Sequence, residues 1–322
     1  MYLRNFNGKP KRRQLKMKTI QIFTDDTRDD KQTFQVISSI WGQPEICKAY
    51  SFECDAIIKS NTRLGTDFKG LHSYNLSDSN WSTLGVTFEQ VLNKLFEYVS
   101  TRKLNLQLTL VSRNRYDLNV GYLKRLIKVQ LEDRNSVIGK QFKSLANTDL
   151  PALYHRIDQL FLYLLYRDKF GDNGDQFEFF PDSTGKILNY HDKEFPMSGN
   201  LPIIWDLGFF ELIKILGNSL AKVITLSGWP VKQQELIKFE PQKWSANYLT
   251  QSCDILANFF FNYLRFNLGK TDKKYELKAC ALTKHFLIDN LLPQIKRSFS
   301  LDATTNDIIC HDQNLLVTID PI

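Results

Sequence analysis

Two runs with a period of two, joined by an acid-rich stretch, constrain this chain more than any other feature. In "KTIQIFT" (18–24), Ile20, Ile22 and Thr24 alternate with Gln21 and Phe23. That is the pattern of a strand, whose successive side chains point to opposite faces. "TFQVISSIW" (33–41) is rich in β-branched and aromatic residues and reads as the hairpin partner. The intervening "TDDTRDDKQ" is turn chemistry, though long for a tight hairpin. The first strand is thus expected to end on Asp25-Asp26. Those acids are either ordinary turn residues or carboxylates placed at a sheet's end to hold a metal.

Later elements follow from the same patterns. Residues 45–60 read as a helix entered through Pro44. From 81 to 99, Leu84, Phe88, Val91, Leu92, Leu95 and Val99 form one helical face. "LNLQLTLV" alternates Leu104, Leu106, Leu108 and Leu110 with Asn105, Gln107 and Thr109, a strand with one buried face. A helix is expected over about 150–169, capped by Asp149 before Pro151. Then come a short strand in "QFEFFPD", a loop over 183–202, a helix over about 206–225 and one short strand in "GWPVKQQELIKFEPQ". Two helices, about 245–267 and 273–298, precede a tail that adds a strand. No internal repeat interrupts this order. It reads as a basic arm over 1–17, one α/β domain over 18–300 and a tail over 301–322.

Charge sharpens that division. The net charge is +7, and residues 1–18 carry Arg4, Lys9, Lys11, Arg12, Arg13, Lys16 and Lys18 with no acid. The body is therefore neutral, and the arm, Arg12 and Arg13 included, is either a phosphate-contacting segment or a solvated tail. Met17, which enters the first strand at once, is an alternative start. No apolar stretch approaches the roughly 20 residues of a membrane span. The basic N-terminus lacks a signal peptide's apolar segment, so a cytoplasmic protein is expected. The five cysteines are scattered without a CxxC spacing, which argues for reduced, buried thiols.

The carboxylates carry the chemistry. Asp25 and Asp26 close the first strand, and Asp182 closes "QFEFFPD". Asp254 interrupts the apolar face of "SANYLTQSCDILANFFFNYLRF", formed by Leu249, Cys253, Leu256, Ala257 and Phe260. A lone buried carboxylate costs several kcal/mol unless compensated, and a cation compensates it. Carboxylates from two strand ends and one late helix suit Mg²⁺ or Mn²⁺. Two such ions, roughly 4 Å apart, clamp the attacking water and leaving oxygen of a phosphodiester. The bland alternatives are turn residues for Asp25, Asp26 and Asp182, and a wet helix face beside Thr250 and Asn258 for Asp254.

With these residues in view, the chain resembles a mainly prokaryotic family called domain of unknown function 3800, regarded as RNase H-like. Members open with a strand ending in an Asp-Glu-Ser-like turn, the slot of "IFTDDT", and "FQVISSIWG" fits their second strand. "DFKGLHSYNL" is a loose match to a Glu-x-His or Phe-His-x-x-Leu stretch, and "TQSCDILANFFFNYLRF" matches a late Gln-x-Ala-Asp-x-x-Ala helix. The resemblance covers about residues 18–268. It implies an α/β fold with an RNase H-like mixed sheet, flanking helices and a helical C-terminal third. Asp25 matches the family's first acid and Asp254 its last, while Asp26 stands where Glu is usual. The middle acid is assigned to Asp182, with Asp206 in "PIIWDLGFF" as its rival.

His72 lies near this set, either acting beside the site or simply starting a turn. The five histidines form no HxxxH pair, and no GxxxxGK[ST], GxGxxG or GxSxG occurs. "GDNGDQ" lacks the acid spacing of a calcium loop. Lys124, Arg125 and Lys128 in "GYLKRLIK" form either a phosphate-facing patch or a solvated helix face. The expectation is a divalent-metal-dependent nuclease acting on DNA or RNA. A catalytically inactive domain of the same fold, binding nucleic acid or a protein partner, is the second reading, and another hydrolase the third. No membrane partner is expected, and a homo-oligomer stays open.

Overall fold

The computed structural model describes residues 17–28, 34–61, 64, 68, 70–112, 174–182, 235–240, 242, 247–267, 274–285, 308–311 and 315–319, with isolated positions within 121–139, at 214, 218 and 219, and at 289. The basic arm, Asp206, Lys124 and the helix expected over 150–169 lie outside the described residues, as does most of the one over 206–225.

The expected hairpin is present as β1 (Thr19–Arg28) and β2 (Phe34–Gly42), paired antiparallel. β2 has the expected length, shifted by one residue, but β1 is longer than its periodicity suggests. β1 continues through Asp25 and Asp26, which sit opposite Ser38 and Ile37 of β2. The acids are therefore inside the strand rather than in the turn, because β2 supplies backbone partners out to Gln35.

Helix α1 (Pro44–Ser60) follows, entered through its N-terminal proline. A tight 3₁₀ turn at Ser73–Asn75 and a wider helical turn at Trp81–Gly85 lead into α2 (Val86–Ser100). Phe88, Val91, Leu92, Leu95 and Val99 of α2 are buried, as its periodicity predicts. Strand β3 (Asn105–Ser112) then pairs antiparallel with β2.

Strands β4 (Gln176–Pro181) and β5 (Glu235–Phe239) lie on the other side of β1, each parallel to its neighbour. Helix α3 (Tyr248–Asn267) and helix α4 (Lys274–Thr283) follow. In the tail, β6 (Ile308–His311) pairs antiparallel with β7 (Leu315–Ile319), which runs parallel to β3. The mixed sheet has the order β5-β4-β1-β2-β3-β7-β6.

The sheet is buried on both faces. Phe23, Val36, Ile40, Leu106, Leu108 and Phe180 join one core with α1, α2 and α3. Ile22, Ile37, Phe177, Phe179 and Leu236 are buried outside that cluster. This corrects the single buried face expected for β3: Gln107, between Leu106 and Leu108, is only 1% exposed. Helix α3 packs along β1 and β2, and the Cys253 thiol donates to the Phe23 carbonyl at 3.3 Å. That contact sets α3 against the part of β1 that carries Asp25. Among the described residues no helix is long and apolar enough to cross a membrane.

Candidate functional site

Strand alternation places the acids. Phe23 and Phe180 are register partners on β1 and β4, and their rings stack at 5.0 Å. Asp25 and Asp182 each lie two residues beyond this pair, so both continue its face of the sheet. The β1–β4 ladder ends at Thr24 opposite Pro181, and the Asp182 amide then donates to the Thr24 carbonyl at 2.8 Å. Asp25 is thus the first β1 residue past the end of its parallel neighbour. That end of the ladder, not the end of β1, is the strand terminus where these acids meet. Asp26 alternates to the opposite face, and its amide donates to Asp25 Oδ1 at 2.7 Å.

Asp254 follows Cys253 on α3 and approaches from above the same face. Burial raises the Asp25 carboxyl well above the usual carboxylate range, and repulsion from Asp254, Asp182 and Asp26 adds to it. The Asp26 amide opposes the shift. Asp25 keeps partial exposure at its surface, but the protein packed around it desolvates the charge. Burial raises Asp254 too, against the pull of His72 and Ser73.

The Asp254 side chain is 12% exposed, with His72 Nδ1 3.4 Å from its Oδ2. Thr250, one turn earlier, is fully buried, so Asp254 does not stand on a wet helix face. Both of its oxygens are engaged. The Ser73 amide donates to Oδ2 at 2.6 Å, and the Ser73 hydroxyl donates to Oδ1 at 2.9 Å. His72 also opens a turn, its carbonyl accepting the Asn75 amide at 2.9 Å. His72 thus starts a turn, with its ring beside Asp254.

The chain matches no protein-family model, no curated protein and no solved structure.

Asp182 and Asp254 both come within electrostatic range of Asp25, and Asp26 is felt from the next position. Among the described residues, however, no group of three or more His, Cys, Asp or Glu side chains is close enough to hold a metal ion together. The donor set is hard oxygen, the ligand type that Mg²⁺ and Mn²⁺ take. Mg²⁺ in particular commonly takes one or two carboxylates and keeps several waters. Among the described residues the acids offer oxygen donors but no closed three-ligand cage. Of the basic residues, Arg125 and Lys128 are exposed, and Lys128 lies 3.8 Å from Glu132.

Ser73 was not singled out from the sequence, and Gln251 only as the first residue of the motif that reaches Asp254. Ser73 sits beside His72, and Gln251 lies three positions before Asp254 on the same helix. An i, i+3 polar pair on an apolar helix was the available signal.

Proposed function

We propose that this chain is an RNase H-like, divalent-metal-dependent nuclease of the kind suggested by its resemblance to the domain of unknown function 3800 family. Asp25, Asp182 and Asp254 are the proposed metal-binding acids, of which two suffice for an ion that keeps several waters, with Asp26 and His72 as auxiliaries and Mg²⁺ or Mn²⁺ as the cofactor. The observation that carries the reading is geometric: Asp25 and Asp182 continue one face of the sheet at the end of the β1–β4 ladder, against which the helix carrying Asp254 is packed. A protein rarely keeps like charges together in a partly desolvated place without a counter-ion to bind.

When bound, the cation supplies a nucleophilic water and stabilises charge on the phosphodiester. The chain's own part is to hold the carboxylates in place. Phe23 and Phe180 set the level of Asp25 and Asp182 beneath α3, and Ser73 holds the plane of Asp254. The substrate is proposed to be nucleic acid, with Arg12, Arg13, Lys124, Arg125 and Lys128 as candidate phosphate contacts.

Calorimetric Mn²⁺ titration of the wild type and Asp25→Asn tests the site, paired with cleavage of labelled DNA and RNA in Mn²⁺ or EDTA. The expected result is Mn²⁺ uptake and metal-dependent cleavage in the wild type, both lost in Asp25→Asn. Uptake that survives Asp25→Asn removes the cluster from the reading. The alternative of a catalytically inactive domain that binds nucleic acid or a protein partner is favoured by one observation: Ser73 already occupies both Asp254 oxygens. It predicts nucleic-acid or protein binding without Mn²⁺ uptake.

A further inference from the structure

Gln251 lies three positions before Asp254 on α3, in a stretch otherwise committed to the core. It is 2% exposed, and a buried amide is costly unless bonded. Its Oε1 accepts the Leu71 amide at 2.7 Å. Gly70 presses on the same group. A Cβ there would stand 2.8 Å from Gln251 Nε2 and 2.9 Å from Oε1. The φ of Gly70 is +130°, which side-chain-bearing residues rarely adopt. One turn along α3, Asp254 takes the Ser73 amide and hydroxyl. Segment 70–73 is therefore held against α3 at both ends.

We infer that Gln251 is a positioning residue for the carboxylate cluster: by holding Gly70 and Leu71 it places Ser73, whose two donors fix the plane of Asp254. This rests on the cation-binding reading of the cluster. Two donors on two different oxygens leave the carboxylate one orientation. Without Ser73 in place, Asp254 rotates about its terminal bond and presents other lone pairs toward Asp25. Partners that orient ligating carboxylates in this way are typically worth about 10–100-fold in metal affinity.

Gly70→Ala and Gln251→Met disturb the clamp from its two sides and leave every acid unchanged. Three measurements are made on each: the Ser73 amide proton shift in the metal-free protein, Mn²⁺ affinity from the electron paramagnetic resonance of the free ion, and the thermal midpoint. The expected result is a Ser73 amide that moves upfield in both variants, with Mn²⁺ affinity reduced about tenfold or more in protein that remains folded. A merely structural Gln251 lowers the midpoint while leaving the Ser73 shift and the Mn²⁺ affinity unchanged, and that overturns the inference. So does a displaced Ser73 with unchanged affinity. If Gln251→Met does not fold, Gly70→Ala and the milder Gln251→Asn, which keeps an amide but shortens its reach, carry the test. A wild type that takes up no Mn²⁺ is a distinct result. It overturns the cation reading and the positioning role with it, whatever Ser73 does.

Discussion

Ser73 donates both its amide and its hydroxyl to the carboxylate of Asp254, 181 positions away, at 2.6 Å and 2.9 Å. A residue expected to be a metal ligand is therefore also the cap of a turn. The two roles respond differently to different substitutions.

Asp254→Asn and Asp254→Ala separate them. An asparagine keeps the clasp, accepting the Ser73 amide and donating to the Ser73 hydroxyl, and it removes a repelled charge. Its metal-free stability is expected to stay within about 0.5 kcal/mol of wild type. Alanine strands the buried donors of Ser73 and lowers stability by about 1–3 kcal/mol. Both variants lose metal-dependent cleavage. Urea melts in EDTA provide the comparison. An asparagine as damaging as alanine would show that the negative charge itself holds the turn.

Asp25→Asn tests repulsion directly. The Asp26 amide keeps an oxygen acceptor, while burial of a charge and its conflict with Asp254 and Asp182 are relieved. The metal-free variant is expected to be more stable at pH 7, on the order of 1–2 kcal/mol for charges interacting at an effective dielectric of about 20. A variant less stable than wild type in EDTA would mean that the Asp25 charge has a partner inside the fold.

The pH dependence has a definite sign. Asp25 and Asp254 have carboxyls raised in the folded protein. Their stabilising contribution is fully present below the unfolded carboxylate pKa and is lost as pH rises through the folded value. Glu53, bonded to Tyr98 and Lys94, and Asp55, bonded to Lys59, are lowered and act in the opposite sense. The difference between wild type and Asp25→Asn cancels those two. On going from pH 7 to pH 5 in EDTA, wild type should gain thermal midpoint relative to Asp25→Asn. A difference that is flat with pH would remove the raised carboxyl from the argument.

Cation binding should suppress that behaviour. Mn²⁺ at about 100 times its dissociation constant adds about 2.7 kcal/mol to wild-type stability. It should flatten the pH dependence, since the ion balances the charge that protons otherwise remove. Differential scanning calorimetry with and without Mn²⁺ reads both effects. No midpoint change at saturating Mn²⁺ would favour the catalytically inactive domain.

The thiols give an independent check on the core. Cys47, Cys54, Cys253 and Cys280 are buried. Burial pushes Cys47, Cys54 and Cys280 up to about 12, and Cys253 well above the usual thiol value. At pH 8 these four should resist iodoacetamide in the native protein and react once it is unfolded. Mass spectrometry of the labelled peptides reads this site by site. Rapid native labelling of Cys253 would mean that α3 does not lie on β1 as described.

Much of the architecture could be read from the chain because it rests on local periodicity. Alternation around Ile20 and Ile22, the Phe88–Val99 face and the start at Pro44 each reflect how neighbouring side chains share one face of one element. The oddity of Asp254 was legible for the same reason, as a charge inside an apolar helical stripe. Beyond the β1–β2 hairpin, tertiary structure alone decided which elements became neighbours. Placing β4 beside β1 brings Asp182 level with Asp25 and makes the end of that ladder, inside a longer β1, the place where acids meet. The clamp of Gln251 and Asp254 on residues 70–73 likewise joins parts of the chain 180 or more positions apart. Such contacts leave no period in the sequence. They depend on how all the buried faces pack at once, and a hydrogen bond across that distance exists only after the sheet and α3 have assembled.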